Sequence, residues 1–127
     1  MDSYPIKKMK AAIDIGTNTV LMLISSFENQ RLNIISEEHR MPRLGKGVDA
    51  EGKLSEDSIV RVISVLKEYK EILESDFPDV EEVIVTATSA VRDATNSSEF
   101  INMVFLQTGF SIRLLSGDEE AAFTYKG

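Results

Sequence analysis

Ala11-Ala12-Ile13-Asp14-Ile15-Gly16-Thr17-Asn18-Thr19-Val20-Leu21-Met22-Leu23-Ile24-Ser25 is the stretch that decides the fold. Two apolar runs of strand length flank Gly16-Thr17-Asn18-Thr19, which has the composition of a tight turn. The pattern predicts buried-type strands over 11–15 and 20–25 joined as an antiparallel hairpin. After the polar turn Glu28-Asn29-Gln30, a third strand is expected from Arg31 to Ser36. Three sequential strands with short connections make a meander.

Working outward, residues 1–9 read as a short flexible lead-in. Residues 41–52, with Pro42, Gly45, Gly47 and Gly52, read as loop. Ser55 is a natural N-cap, and Glu56 and Asp57 suit the first turn of the helix it opens. Ile59, Val62, Ile63, Leu66, Tyr69 and Leu73 then repeat at helical spacing until Pro78 ends the pattern. Val83–Ala87 is a short β-branched strand, and residues 88–94 form a strand-to-helix crossing. Asn96 with Glu99 has the form of a capping box opening a helix that Gly109 closes. A last strand covers residues 111–115. Ser116 with Glu119 repeats the capping pattern before a final helix. The order βββαβαβα predicts an α/β domain with a five-stranded mixed sheet and helices covering its faces, the ribonuclease H-like plan.

The chain has 127 residues, enough for one domain with its own core. The absence of cysteine excludes disulfides, thiolate metal sites and cysteine nucleophiles. A net charge of −7 argues against a broad nucleic-acid-binding face. It leaves room for an anionic small ligand, because backbone N–H groups in a tight turn hold phosphate locally. No apolar run reaches the ~20 residues of a membrane span. The first residues lack the apolar stretch of a signal peptide, so a cytoplasmic protein is expected. Neither a Walker A string nor an HExxH string is present.

Three segments carry candidate chemistry. In Asp14–Thr19, Gly16 permits close backbone approach, Thr17, Asn18 and Thr19 offer donors, and Asp14 could hold Mg²⁺ through water. The plainer alternative is an ordinary hairpin turn. Arg92, just beyond a strand's C-terminal end, suits a bidentate phosphate contact, or else pairs at the surface with Asp93 or Glu99. In Gly117-Asp118-Glu119-Glu120 the acids favour a helix start whatever else they do. Glu119 has a capping role, while Glu120 is spare and suited to orienting water. Gly45-Lys46-Gly47 reads as a solvated turn before it reads as an anion loop. His39 reads as a polar residue at a strand end.

Together these segments resemble the N-terminal domain of the exopolyphosphatase and guanosine pentaphosphate phosphatase (Ppx/GppA) family. The matching strings are Ala12–Thr19, Arg43–Asp49, Leu54-Ser55, Ala87–Asn96 and Ser116–Ala121, in family order from about residue 10 to residue 127. The resemblance implies domain I, residues 10–127, of a pair of ribonuclease H-like domains facing across a cleft. It also implies the wider sugar kinase, actin and chaperone ATPase superfamily. Asp14, Gly16, Thr17, Asn18 and Thr19 would be the first phosphate-binding loop, Arg92 a phosphate contact and Glu120 the catalytic glutamate.

The implied reaction is Mg²⁺-dependent hydrolysis of terminal phosphate from polyphosphate or guanosine pentaphosphate. The implied partners are those substrates or guanosine tetraphosphate, and the protein's own C-terminal domain. Exposed apolar surface at that domain's docking face would favour a homodimer. Two departures stand out. Ala122 occupies a position where the family usually has Arg, and the family's second, glycine-rich phosphate loop lies beyond residue 127. A non-catalytic sensor of polyphosphate or alarmone, or half of a superfamily kinase or ATPase, is the alternative expectation.

Overall fold

In a computed structural model, residues 8–46, 48 and 51–119 are described. Five strands, β1 (Lys8–Ile15), β2 (Val20–Glu28), β3 (Arg31–Arg40), β4 (Val80–Ala87) and β5 (Ile112–Leu114), form one sheet in the order β3-β2-β1-β4-β5. β1 pairs antiparallel with β2 and parallel with β4, and β5 continues the parallel half. Three helices accompany them: α1 (Glu56–Asp76), α2 (Ser89–Arg92) and α3 (Ser97–Thr108). This is the ribonuclease H-like architecture expected from the element order.

The hairpin forms as predicted, with Ile15 opposite Val20 across the Gly16–Thr19 turn. The Asn29-Gln30 turn takes φ of 52° and 64°, the doubly left-handed geometry that matches strand twist. Four strands run longer than their apolar cores suggested. β1 takes up Lys8, Met9 and Lys10, β2 continues to Glu28, β3 continues to Arg40, and β4 begins at Val80.

Strand alternation puts Ala11, Ile13 and Ile15 of β1, with Val20, Met22 and Ile24 of β2, on one face. The α1 stripe packs against that face, and so do Phe100 and Val104 of α3. Each such side chain, fully buried, contributes roughly 1.5–3 kcal/mol. The Tyr69 hydroxyl donates to the Val20 carbonyl at 2.6 Å, with Glu38 O at 3.1 Å, so α1 grips β2 where it leaves the hairpin turn. Burial pushes the Tyr69 pKa up to about 12.

The opposite face is less covered. Ala12, Asp14 and Ile84 are exposed there, and Leu21 and Leu23 are half-buried. Helices on both faces were expected, but α1 and α3 share one. The final helix starts at residues 117–119, and the rest of that expectation lies outside the described residues. No helix among the described residues is long and apolar enough to cross a membrane.

Candidate functional site at the carboxyl ends of the parallel strands

β1, β4 and β5 run parallel, so their C-terminal ends open on one edge of the sheet, the place where open α/β sheets receive ligands. At the end of β1, the Gly16 N–H donates to the Thr19 carbonyl at 2.9 Å and closes the turn. A Cβ on Gly16 would lie 3.1 Å from that oxygen, which leaves little room for any other residue. Thr17 and Asn18 are exposed at the tip, and Asp14 is exposed just before it. Thr86 Oγ1, in register on β4, stands 3.5 Å from Asp14 Oδ1, at the outer limit of a hydrogen bond.

The neighbouring strand end is joined to this turn through main chain. The Thr88 N–H donates to the Ile15 carbonyl at 3.3 Å, and α2 starts directly after Thr88. Arg92, at the end of α2, donates through Nη1 to the Leu115 carbonyl at 3.0 Å and through Nε to Asp93 Oδ1 at 3.1 Å. The Leu115 N–H in turn donates to the Ala87 carbonyl at 3.0 Å. Asp14, the Gly16–Thr19 turn and Arg92 therefore share one edge, and Ser116 follows directly from it. The surface pairing of Arg92 with Asp93 also forms; Arg92 serves to tie α2 to the end of β5.

The Ser116–Glu119 capping box forms: the Glu119 N–H donates to Ser116 Oγ at 3.1 Å, and the Ser116 N–H donates to Glu119 Oε1 at 3.2 Å. Arg113 adds an ion pair to Glu119 at 2.7 Å. The hydrogen bond from the Ser116 N–H, then Arg113, holds the Glu119 carboxyl below its ordinary range. Glu120 lies outside the described residues.

Sequence patterning did not show what holds the turn in place. Residues 41–46, expected to be loop, carry buried Pro42 and Leu44 and lie along the Gly16–Thr19 turn. The Arg43 N–H donates to Asn18 O at 3.0 Å and the Gly45 N–H to Thr17 O at 2.8 Å. A Cβ on Gly45 would fall 2.5 Å from Thr17 Cγ2, so the glycine is there for close packing rather than for a solvated turn. The signal was the glycine itself, whose reason shows only in three dimensions.

The capping box expected at Asn96 is corrected. Asn96 precedes α3 but makes no cap bond. Its Oδ1 accepts from the Leu54 N–H at 2.9 Å and its Nδ2 donates to the Leu54 carbonyl at 3.0 Å. A buried peptide group 42 residues away out-competes the local cap.

Among the described residues no three His, Cys, Asp or Glu side chains cluster as metal ligands. An exposed carboxylate beside a turn with exposed Thr17 and Asn18 still fits Mg²⁺, which keeps several waters and takes its remaining ligands from one or two carboxylates and substrate phosphates.

Residues 23–127 match the Ppx/GppA phosphatase family. The chain is 36% identical to a bifunctional 3-dehydroquinate synthase/phosphatase of Fusobacterium nucleatum, aligning over 100% of the chain and 20% of that protein. It is also 36% identical to the guanosine-5'-triphosphate,3'-diphosphate pyrophosphatase of Vibrio cholerae, over 92% of the chain and 23% of the relative. The crystal structure of an exopolyphosphatase from Cytophaga hutchinsonii superposes with a TM-score of 0.88 at 31% identity, covering 94% of this chain and 38% of that one. The chain thus spans well under half the length of each of these three proteins. Sequence and backbone agree across nearly all of its residues, and the chain belongs to the Ppx/GppA phosphatase family.

Proposed function

We propose that this domain, together with a second one, hydrolyses the terminal phosphoanhydride of inorganic polyphosphate or of guanosine pentaphosphate in the cytoplasm. The reading is supported above all by the convergence of the Gly16–Thr19 turn and Arg92 on one sheet edge, with Ser116 next to it, in a chain of this family. In it, Gly16 lets the turn approach a phosphate, and the backbone N–H groups and side chains of Thr17, Asn18 and Thr19 donate to its oxygens. Arg92 exchanges part of its contact with Asp93 for a phosphate, a geometry its planar fork suits. Glu120 orients and deprotonates the attacking water. Mg²⁺, held by Asp14 through water, would supply charge neutralisation at the phosphate oxygens when bound. The missing half of the cleft belongs to the protein's own C-terminal domain, and the partly open sheet face leaves a surface for that domain or for a second copy.

The test is phosphate release from long-chain polyphosphate with Mg²⁺ by the full-length protein and its Glu120→Gln variant. Release should fall by about 10³-fold or more in the variant while polyphosphate binding is kept. A wild-type protein that binds polyphosphate and releases nothing would instead be a sensor.

A further inference from the structure

The geometry points to Arg61 as a positioning residue for the Gly16–Thr19 turn, acting through the main chain of residues 42–46; this rests on the phosphate-binding reading of that turn. Arg61 is on the second turn of α1, where an arginine ordinarily extends into solvent. Here Nε donates to the Pro42 carbonyl at 2.8 Å, and Nη2 donates to the Arg43 carbonyl at 3.3 Å and to Ser58 Oγ at 2.9 Å. Ser58 Oγ donates in turn to the Lys46 carbonyl at 2.7 Å. One guanidinium and one hydroxyl thus hold three carbonyls of the segment against the start of α1.

Two of the same segment's N–H groups face the other way. Those of Arg43 and Gly45 donate to Asn18 O and Thr17 O. Arg43 itself sits at φ 54°, left-handed backbone that a non-glycine residue keeps only when its surroundings fix it. Its carbonyl accepts from the Lys46 N–H at 3.0 Å and from Arg61, and its N–H is held by Asn18. The Gly45 contact with Thr17 leaves no slack between the two strips of chain. Movement at the Pro42 and Arg43 carbonyls therefore passes to the Thr17 and Asn18 peptide groups, which the proposed function assigns to phosphate. Arg61 acts without touching the ligand.

Charge is not the operative property. A lysine keeps the charge but offers a point donor that cannot span acceptors arranged for a planar fork. The test compares Arg61→Ala and Arg61→Lys in the full-length protein with Arg40→Ala, whose guanidinium bonds Glu68 of the same helix and not the loop. In both Arg61 variants KM for long-chain polyphosphate should rise on the order of tenfold, and kcat should change by less than about threefold. Amide exchange at Arg43 and Gly45 should quicken about tenfold in the same variants. Arg40→Ala should alter neither reading, whatever it does to Tm. Unchanged exchange in Arg61→Ala would overturn the inference, and so would a normal KM in Arg61→Lys. A wild-type protein that neither releases phosphate nor binds polyphosphate defeats the proposed function instead, and the exchange measurement still decides whether Arg61 positions the turn.

Discussion

The Gly16–Thr19 turn is held by main-chain hydrogen bonds from Arg43 and Gly45, on a segment pinned to the core by Leu44, whereas the Ser116–Glu119 segment is held by a capping box and an exposed ion pair. Both flank the same sheet edge. The first set of bonds does not titrate, and each main-chain hydrogen bond contributes about 0.5–1.5 kcal/mol net. The second depends on a carboxylate, and its exposed ion pair is screened by solvent and weakens with salt. The difference teaches a division of labour: one flank is a fixed template, and the other adjusts at small cost. Under the proposed function, a site that grips successive phosphates of similar shape is served by fixing the grip and leaving the acidic side adjustable.

The largest test of this contrast reaches the root of the fixed flank. Asn96 bonds both the N–H and the carbonyl of buried Leu54, one residue before the Ser55 cap of α1. The same helix end carries Ser58 and Arg61. Asn96→Ala leaves two buried peptide groups unpaired and should cost about 2–4 kcal/mol. On a domain of this size that lowers Tm by roughly 10 °C. A loss under about 1 kcal/mol in chemical denaturation would show that water satisfies Leu54 and that the flank is not rooted there.

A middle-sized effect is expected at Gly45. A methyl there meets Thr17 Cγ2 at 2.5 Å, so Gly45→Ala must turn the Thr17 side chain or push the two strips of chain apart. The expected cost is about 1–2 kcal/mol, within the range for overpacking, and it should come with a larger KM for polyphosphate. If stability falls but KM is unchanged, Thr17 gives way by itself and the template is softer than its hydrogen bonds suggest.

How much of this was legible in the sequence differs between the two flanks as well. The hairpin, the five-strand mixed sheet and the Ser116–Glu119 cap follow from apolar runs and from a local pairing three residues apart, and all are found. Asn96 with Glu99 shows the same local string, yet Asn96 serves Leu54, because a buried peptide group needs partners more than an exposed helix start does. Arg61 was not legible as part of the site, and Gly45-Lys46-Gly47 was weighed as an anion loop but read first as a solvated turn. Arg61 sits on the polar side of an amphipathic helix, and the carbonyls it holds belong to the backbone, so they leave no mark on residue type. Ala12 and Asp14 read as part of a buried run, but they lie on the strand's exposed side.

The smallest effect belongs to the adjustable flank and is read by titration. The Glu119 carboxyl is held below its ordinary value of 4.5, first by the Ser116 N–H and then by Arg113. Because the folded pKa is the lower one, the associated stability is fully present above the unfolded value and is lost as pH falls through the folded pKa. The group is exposed, so the loss should be slight and should vanish in Glu119→Gln. Arg113→Ala removes only the lesser cause. Following the Glu119 side-chain carboxyl by NMR, the pKa in that variant should rise part of the way and stay below the ordinary value. A full return to that value would make the ion pair, and not the cap, the force that holds this flank, and raised salt would then release it as completely as the substitution does.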